Sequence, residues 1–142
     1  MLNKDFIKRK IDFIQNDLVK LAGFAKLSFD EVSSDPIKQA AVERFLERII
    51  NRAIDINQHI LAQCAEVAIE PPIDYRDTFL RLADSKVFSK EFSERIAQSV
   101  GTRNILVHEY DKTDQQKIYS SIADCLKEYT EYCGYILEFL EK

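Results

Sequence analysis

An arginine, a histidine and a tyrosine lie close together in the segment RNILVHEY, which runs from Arg103 to Tyr110. His108 is one of only two histidines in this chain of 142 residues. Imidazole titrates near neutral pH and can therefore accept or give up a proton during a reaction. Arginine stays charged and presents a planar fork to phosphate oxygens. These residue types suit the cleavage of a phosphodiester bond.

Together the two side chains could cleave RNA without a metal ion or a cofactor. His108 would take the proton of a ribose 2′-hydroxyl or protonate the leaving 5′-oxygen. Arg103 would stabilise the negative charge that builds on the phosphate oxygens. The products expected from this chemistry are a 2′,3′-cyclic phosphate and a 5′-hydroxyl.

Helical geometry limits what one copy of the motif can do. On an ideal helix a step of five residues turns through roughly 140°, so Arg103 and His108 would not aim at one phosphate. Asn104 and His108 are four residues apart and would share a face. A two-fold dimer would place two copies of each group around one cleft. The structural alternative is that His108 is a buried or capping histidine and that Arg103 is a surface ion-pair partner.

Three long segments show the spacing of amphipathic helices, with apolar residues three and four positions apart. They run from about Ile7 to Ala25, from Pro36 to about Ala68 and from about Asp114 to Leu140. Shorter helices are predicted after the caps Asp74 and Ser89, and a further one after Gly101, with Thr102 as its cap. No segment alternates with a period of two, so no sheet is expected. The fold class predicted is all-α: one domain, residues 1–142, forming an antiparallel bundle of three long and two or three short helices.

Charge and cysteine content narrow the function further. The formal net charge is −4, which argues against a broadly basic nucleic-acid-binding surface but leaves room for a local basic cleft. The three cysteines have no CxxC spacing and are expected to be reduced thiols. The cysteines and the two histidines do not show the spacing of zinc ligands. No apolar run approaches the roughly 20 residues that cross a bilayer, and the first residues do not resemble a secretory signal. A cytoplasmic protein without membrane contact is expected.

Two other polar patterns have a structural and a functional interpretation. Asp55 and His59 lie four residues apart, so the carboxylate could orient the imidazole in support of catalysis, or the two could form a structural polar pair. A row of arginines is either a solvated face with ion pairs or a track for an RNA backbone. The row and its acidic neighbours are Arg44, Arg48, Arg52, Glu43 and Glu47.

The segment RNILVHEY resembles the RX4HXY motif of HepT-type HEPN toxins. The segments AIDINQHI, YRDTFLRLAD and VGTRNILVHEYD agree with that family, and the resemblance spans nearly the whole chain. It implies a HEPN fold, a homodimer and a metal-independent ribonuclease that acts as the toxin of a type VII toxin–antitoxin system. The RNA would be a tRNA or an mRNA.

The resemblance also implies a role for each residue of the motif. Arg103 and His108 match the catalytic pair, and Asn104 matches the supporting polar residue after the arginine. Tyr110 matches the tyrosine to which a partner nucleotidyltransferase of the MntA type transfers AMP from ATP, which silences the toxin. The alternative is a non-catalytic HEPN bundle that binds a nucleotidyltransferase or a nucleotide.

Overall fold

A computed structural model describes residues 1–64, 71–108 and 112–142, and over these residues all regular secondary structure is helical. The helices are α1 (Lys4–Phe24), α2 (Phe29–Ser33), α3 (Pro36–Gln63), α4 (Tyr75–Asp84), α5 (Lys90–Ala97), α6 (Ser99–Val107) and α7 (Lys112–Leu140). The predicted all-helical bundle is confirmed, with four short helices rather than two or three among the described residues. The last part of the predicted second stripe, residues 65–70, lies outside them.

The hydrophobic core lies between the three long helices. α1 packs against α3 and α7, and the shorter α4 and α6 pack against α3. Each long helix turns its apolar stripe inward, and burying one side chain of this size stabilises the fold by roughly 1.5–3 kcal/mol. The fully buried residues of the stripes include Ile7, Ile11, Ile14, Leu21, Leu46, Ile49, Ile56, Ile60, Tyr129, Tyr132 and Ile136.

Side-chain caps fix where three of the helices begin. The carboxylate of Asp35 accepts hydrogen bonds from two backbone N–H groups of α3, and Pro36 is the first residue of that helix. Asp74 and Ser89 cap α4 and α5 in the same way. These caps satisfy N–H groups that have no partner within the helix, and all were predicted from the sequence.

A further short helix, α2, begins with a reciprocal capping box. The Ser28 hydroxyl accepts a hydrogen bond from the Glu31 amide, and the Glu31 carboxylate accepts one from the Ser28 amide. Val32 then turns into the core. The box stabilises a helix of only five residues, which explains a helix that apolar spacing alone did not predict.

The expected boundary between α5 and α6 at Gly101 is wrong. α5 ends at Ala97 and α6 begins at Ser99, so Gly101 and Thr102 lie inside α6. The Ser99 hydroxyl bonds to a backbone oxygen of α5 and lies 2.7 Å from the hydroxyl of the buried Tyr129 on α7. These bonds hold the chain at the bend and place the break before the glycine.

Two chemical features complete the scaffold. None of the helices in the described part of the chain is long and apolar enough to cross a membrane. The three cysteines form no disulfide, and Cys125 and Cys133 are buried in α7. Burial raises the pKa of Cys133 to about 12 and that of Cys125 well above its usual range, so both remain protonated at neutral pH.

Candidate active site

Arg103 lies where α3, α4 and α6 meet. Its Nε donates a hydrogen bond to Oδ1 of Asn51 on α3, with an N···O distance of 2.6 Å. Its guanidinium carbon lies 4.7 Å from the centre of the ring of Tyr75, the first residue of α4. Three helices therefore contribute to the placement of one cation on α6.

The contacts of Arg103 leave its phosphate-binding groups available. A guanidinium carries five N–H donors, and the bond to Asn51 uses only the Nε–H. The other contact is to an aromatic ring, so no carboxylate of the described residues pairs with this arginine. The two terminal nitrogens can bind two oxygens of one phosphate, which is the geometry that arginine prefers.

His108 is exposed at the end of α6. The helix ends at Val107, and the backbone of His108 is extended, with φ −116° and ψ 162°. The common face expected for Asn104 and His108 assumes a helix that continues to His108, whereas His108 is the C-cap of α6, so the shared face stays a prediction. Exposure also argues against a buried structural histidine. Asn104 is exposed on α6, so the outer end of this helix presents polar groups to solvent.

The predicted modification site, Tyr110, lies outside the described residues, which reach His108 before they resume at residue 112. Its role stays a prediction. The described part of the motif places a partly buried guanidinium and an exposed imidazole on the C-terminal half and end of α6. One group can neutralise a phosphate and the other can transfer a proton.

Two exposed apolar side chains, Tyr75 and Val107, lie close to Arg103, and Ile73 is exposed two residues before Tyr75. Ile73 is 85% exposed, Val107 48% and Tyr75 40%. Tyr75 contacts Arg103, and Val107 lies one helical turn after Arg103. Apolar side chains that cluster on a surface beside charged groups are typical of a surface that binds another molecule.

A buried chain of hydrogen bonds fixes the start of α4, where Tyr75 lies. The Tyr132 hydroxyl on α7 donates to Oδ1 of Asn57 on α3 at 2.6 Å. Nδ2 of Asn57 donates to Oγ1 of Thr78 at 3.2 Å, and the Thr78 hydroxyl donates to the backbone oxygen of Tyr75 at 2.6 Å. We call these four residues the relay. It ties the first turn of α4 to two long helices, and the side chains of Asn57, Thr78 and Tyr132 are buried.

Comparison with known proteins identifies the family. The profile of a family described as Ribonuclease HepT-like matches residues 14–136. The chain belongs to the HepT-like ribonuclease family. A tRNA nuclease HepT of Aphanizomenon flos-aquae is 32% identical over 136 residues, which are 94% of this chain and 89% of that protein. An mRNA nuclease HepT of Shewanella oneidensis is 29% identical over 91 residues, which are 64% of this chain and 66% of that one.

Solved structures agree with this assignment. A tri-AMPylated HEPN toxin of Shewanella oneidensis, in complex with an MNT antitoxin, superimposes with a TM-score of 0.81 at 25% identity. The match covers 94% of this chain and 98% of the toxin. The resemblance to HepT-type HEPN toxins that the motif indicated is confirmed.

In the HepT-like fold, Asp55 and His59 each have a separate partner near α1. Asp55 forms an ion pair with Lys10 at 3.1 Å. Nε2 of His59 accepts a hydrogen bond from the backbone amide of Asn3 at 3.0 Å, and the His59 ring lies 5.0 Å from the ring of Phe6. The structure therefore favours the structural interpretation of this pair, as two links between α1 and α3.

The arginine row on α3 is largely occupied by α1. Arg44 pairs with Glu47 as predicted, but Arg48 and Arg52 converge on Asp17 at 3.2 and 2.9 Å. Asp17 is buried at 1% exposure, so a solvated face is wrong for these two arginines. A buried carboxylate needs this pairing because it has lost its hydration, and two cations are thereby withdrawn from any RNA track.

A cleft of about 310 Å³ lies between α3, α5, α6 and α7, and Thr102 of α6 is part of its lining. Its wall carries both signs of charge, from Arg95, Lys117, Asp124 and Glu128. Burial raises the pKa of Glu128 to about 7, Asp124 adds to the rise and Arg95 opposes it. Arg103 is not among the residues that line this cleft.

Two residues of the site were missed from the sequence, namely Asn51 and Tyr75. They lie 52 and 28 positions before Arg103 in the chain, and no spacing rule relates residues so far apart. In the described ranges, no group of three or more His, Cys, Asp and Glu side chains is placed to hold a metal ion.

Proposed function

We propose that this protein is the ribonuclease toxin of a HEPN/MNT toxin–antitoxin pair, with Arg103 and His108 as its catalytic residues and Asn104 as their polar support. One observation carries the proposal. In a chain of the HepT-like family, a guanidinium with two available terminal nitrogens lies on the same short helix that ends at an exposed imidazole. These two groups supply charge stabilisation and proton transfer.

The reaction is a transesterification within the RNA. The ribose 2′-oxygen attacks the adjacent phosphorus, and the bond from phosphorus to the 5′-oxygen breaks. The proton of the 2′-hydroxyl goes to one imidazole, and the leaving 5′-oxygen receives a proton from another. Arg103 binds the non-bridging oxygens while their charge increases. No metal ion takes part, and the ends are a 2′,3′-cyclic phosphate and a 5′-hydroxyl.

A homodimer supplies the second imidazole. Each chain carries one histidine in the motif, whereas the reaction needs a base and an acid in one step. The exposed Tyr75 and Val107 beside Arg103 favour burial against a second copy, and two copies also double the positive charge at the shared site. A heterodimer of a wild-type chain and a His108→Ala chain then has a single imidazole in the shared site, so it should cleave RNA at far less than half the wild-type rate. Half of the wild-type rate in this heterodimer would contradict shared sites.

The substrate proposed is tRNA or mRNA, because the two curated relatives are a tRNA nuclease and an mRNA nuclease. The tRNA relative matches a larger share of this chain. Both RNAs should therefore be offered to the purified protein in parallel. Cleavage of neither RNA would contradict the proposed substrates.

We also propose that a nucleotidyltransferase antitoxin of the MntA type silences the protein by AMPylation of Tyr110. The Shewanella oneidensis toxin in the solved complex is tri-AMPylated. The tyrosine oxygen would attack the α-phosphorus of ATP, and pyrophosphate would leave. Each AMP adds bulk and negative charge two residues from His108, where RNA phosphate must bind. Tyr110→Phe should remain toxic in the presence of the antitoxin and gain no mass.

The deciding experiment compares growth after induction of the wild type, Arg103→Ala, His108→Ala and, as a matched control, Arg9→Ala on the exposed face of α1. The wild type and Arg9→Ala should arrest growth and produce RNA ends with a cyclic phosphate, in the presence of EDTA when assayed in vitro. The two motif variants should do neither. Equal toxicity of His108→Ala would favour the alternative of a non-catalytic HEPN bundle that binds a nucleotidyltransferase or a nucleotide.

A further inference from the structure

We propose that Asn51 and Tyr75 are positioning residues that hold the guanidinium of Arg103 in the orientation that binds the scissile phosphate. The inference rests on the proposed ribonuclease function and extends it to two residues outside the motif. Neither residue needs to touch RNA. Each acts through Arg103.

Asn51 sets the rotation of the guanidinium plane. Its Oδ1 accepts a hydrogen bond from Nε of Arg103 at 2.6 Å, a short bond to a charged donor. Since the Nε–H is engaged on the protein side, the two terminal nitrogens form the only fork that can meet a phosphate. The phosphate is then bound by the two terminal nitrogens of Arg103, and the direction of these donors is fixed before RNA binds.

Tyr75 covers one face of the same plane. The guanidinium carbon lies 4.7 Å from the ring centre, a distance at which the electron-rich face attracts the cation. The ring is itself fixed, because the relay holds the backbone oxygen of Tyr75 and Asp74 caps the helix that it begins. A rotation of Arg103 towards α4 is therefore blocked.

A second arginine in the same chain shows what is special about these partners. The guanidinium carbon of Arg52 lies 4.4 Å from the centre of the Phe13 ring, but its terminal nitrogen is bound to Asp17 at 2.9 Å. A carboxylate pairs with that arginine and occupies one nitrogen of its fork. Arg103 has an amide in the corresponding place, so no carboxylate of the described part of the chain neutralises it. This combination suits a residue that must bind an anion.

The test measures single-turnover cleavage of an RNA oligonucleotide by Asn51→Ala, Tyr75→Leu and Tyr75→Phe. Asn51→Ala and Tyr75→Leu should each slow cleavage roughly ten- to a hundredfold, because a misplacement on the order of 1 Å has effects of that size. Tyr75→Phe keeps the ring face and should stay within about twofold of the wild type. Phe13→Leu is the matched control. Its ring has similar exposure, 44% against 40%, and lies against another arginine, so cleavage should be unchanged.

An Arg103→Lys background separates positioning from a general structural effect. Lysine has no planar fork for Asn51 and Tyr75 to orient, so adding Asn51→Ala or Tyr75→Leu should slow cleavage less than about twofold further. Losses that multiply in this background would overturn the inference, as would wild-type rates in Asn51→Ala and Tyr75→Leu while Arg103→Ala is inactive. If the wild type itself cleaves no RNA, the proposed function fails and the inference fails with it.

Discussion

The relay from Tyr132 to Tyr75 makes a quantitative prediction for Tyr132→Phe. The substitution removes one oxygen and leaves Oδ1 of the fully buried Asn57 without its donor at 2.6 Å. An unpartnered buried acceptor costs roughly 1–3 kcal/mol. The Tyr132 hydroxyl also lies 3.1 Å from the backbone oxygen of Ala53, but that oxygen lies inside α3 and has a helical donor. We therefore expect the free energy of unfolding to fall by about 2 kcal/mol.

A double substitution tests whether the loss comes from the orphaned acceptor. Asn57→Leu removes the amide and should cost about 2–3 kcal/mol, because it breaks the bonds to both Tyr132 and Thr78. In the Tyr132→Phe, Asn57→Leu double variant, both the donor hydroxyl and the acceptor amide are absent, so neither position leaves an unpartnered polar group at the other. Its total loss should therefore be smaller than the sum of the single losses by roughly 1 kcal/mol.

Equilibrium unfolding in urea, with the m-value checked for constancy, measures these differences. Tyr135→Phe is the control, because within the described residues Tyr135 makes ring contacts with Phe88 and Phe92 and no hydrogen bond through its hydroxyl. Its stability should change by less than about 0.5 kcal/mol. A Tyr132→Phe protein as stable as this control, or strict additivity in the double variant, would refute the reasoning.

Three further predictions concern charge and thiols. Glu128→Gln should stabilise the protein at pH 8 by about 1 kcal/mol, after discounting the shift for solvent screening, and the gain should vanish towards pH 4.5. The sign follows because burial raises the pKa of Glu128 to about 7, so the wild type loses stability as the pH rises through this value. The free energy of unfolding of both proteins should be measured as a function of pH. A gain from Glu128→Gln that shrinks as the pH rises would contradict the prediction. Asp17→Ala should lower stability by roughly 3–5 kcal/mol because two arginines lose their buried partner, whereas thermal melts that match the wild type would contradict it. A thiol reagent should label Cys64 first, since Cys125 and Cys133 are buried. Mass spectrometry of the labelled native protein measures the order, and early labelling of Cys125 or Cys133 would contradict the prediction.

Much of the fold follows from local sequence signals. The apolar stripes predicted all three long helices, and Asp35 with Pro36 predicted the start of α3, because both signals depend on neighbours within one turn. α2 was missed although the serine and glutamate of its capping box were visible at positions 28 and 31. A helix of five residues is too short to show a periodic apolar stripe. The boundary near Gly101 was misplaced because a long-range bond from Ser99 to α7 decides it.

The candidate site was predicted only as far as its residues are neighbours in the chain. The motif marked Arg103 and His108, and the angle expected between them applies only to a helix that continues to His108, whereas α6 ends at Val107. Asn51 and Tyr75 belong to other helices, and only tertiary packing brings them to Arg103. The fold therefore supplies the partners that decide how the arginine is presented.

The acidic net charge is compatible with RNA cleavage because no carboxylate of the described residues pairs with Arg103, while several carboxylates pair with other cations. Asp17 binds two arginines between α1 and α3, and Asp55 binds Lys10 on the same side. Fields at short range depend on the groups within a few ångströms and are screened beyond roughly 8–10 Å at physiological salt. Within the described ranges, Arg103 has an amide and an aromatic ring as its partners, so the acidic net charge of the chain does not by itself prevent Arg103 from binding a phosphate. Replacing Asn51 by aspartate would give Arg103 the kind of carboxylate partner that Arg52 has. If local charge decides, Asn51→Asp should weaken RNA cleavage more than Asn51→Ala, although it changes the net charge by only one unit.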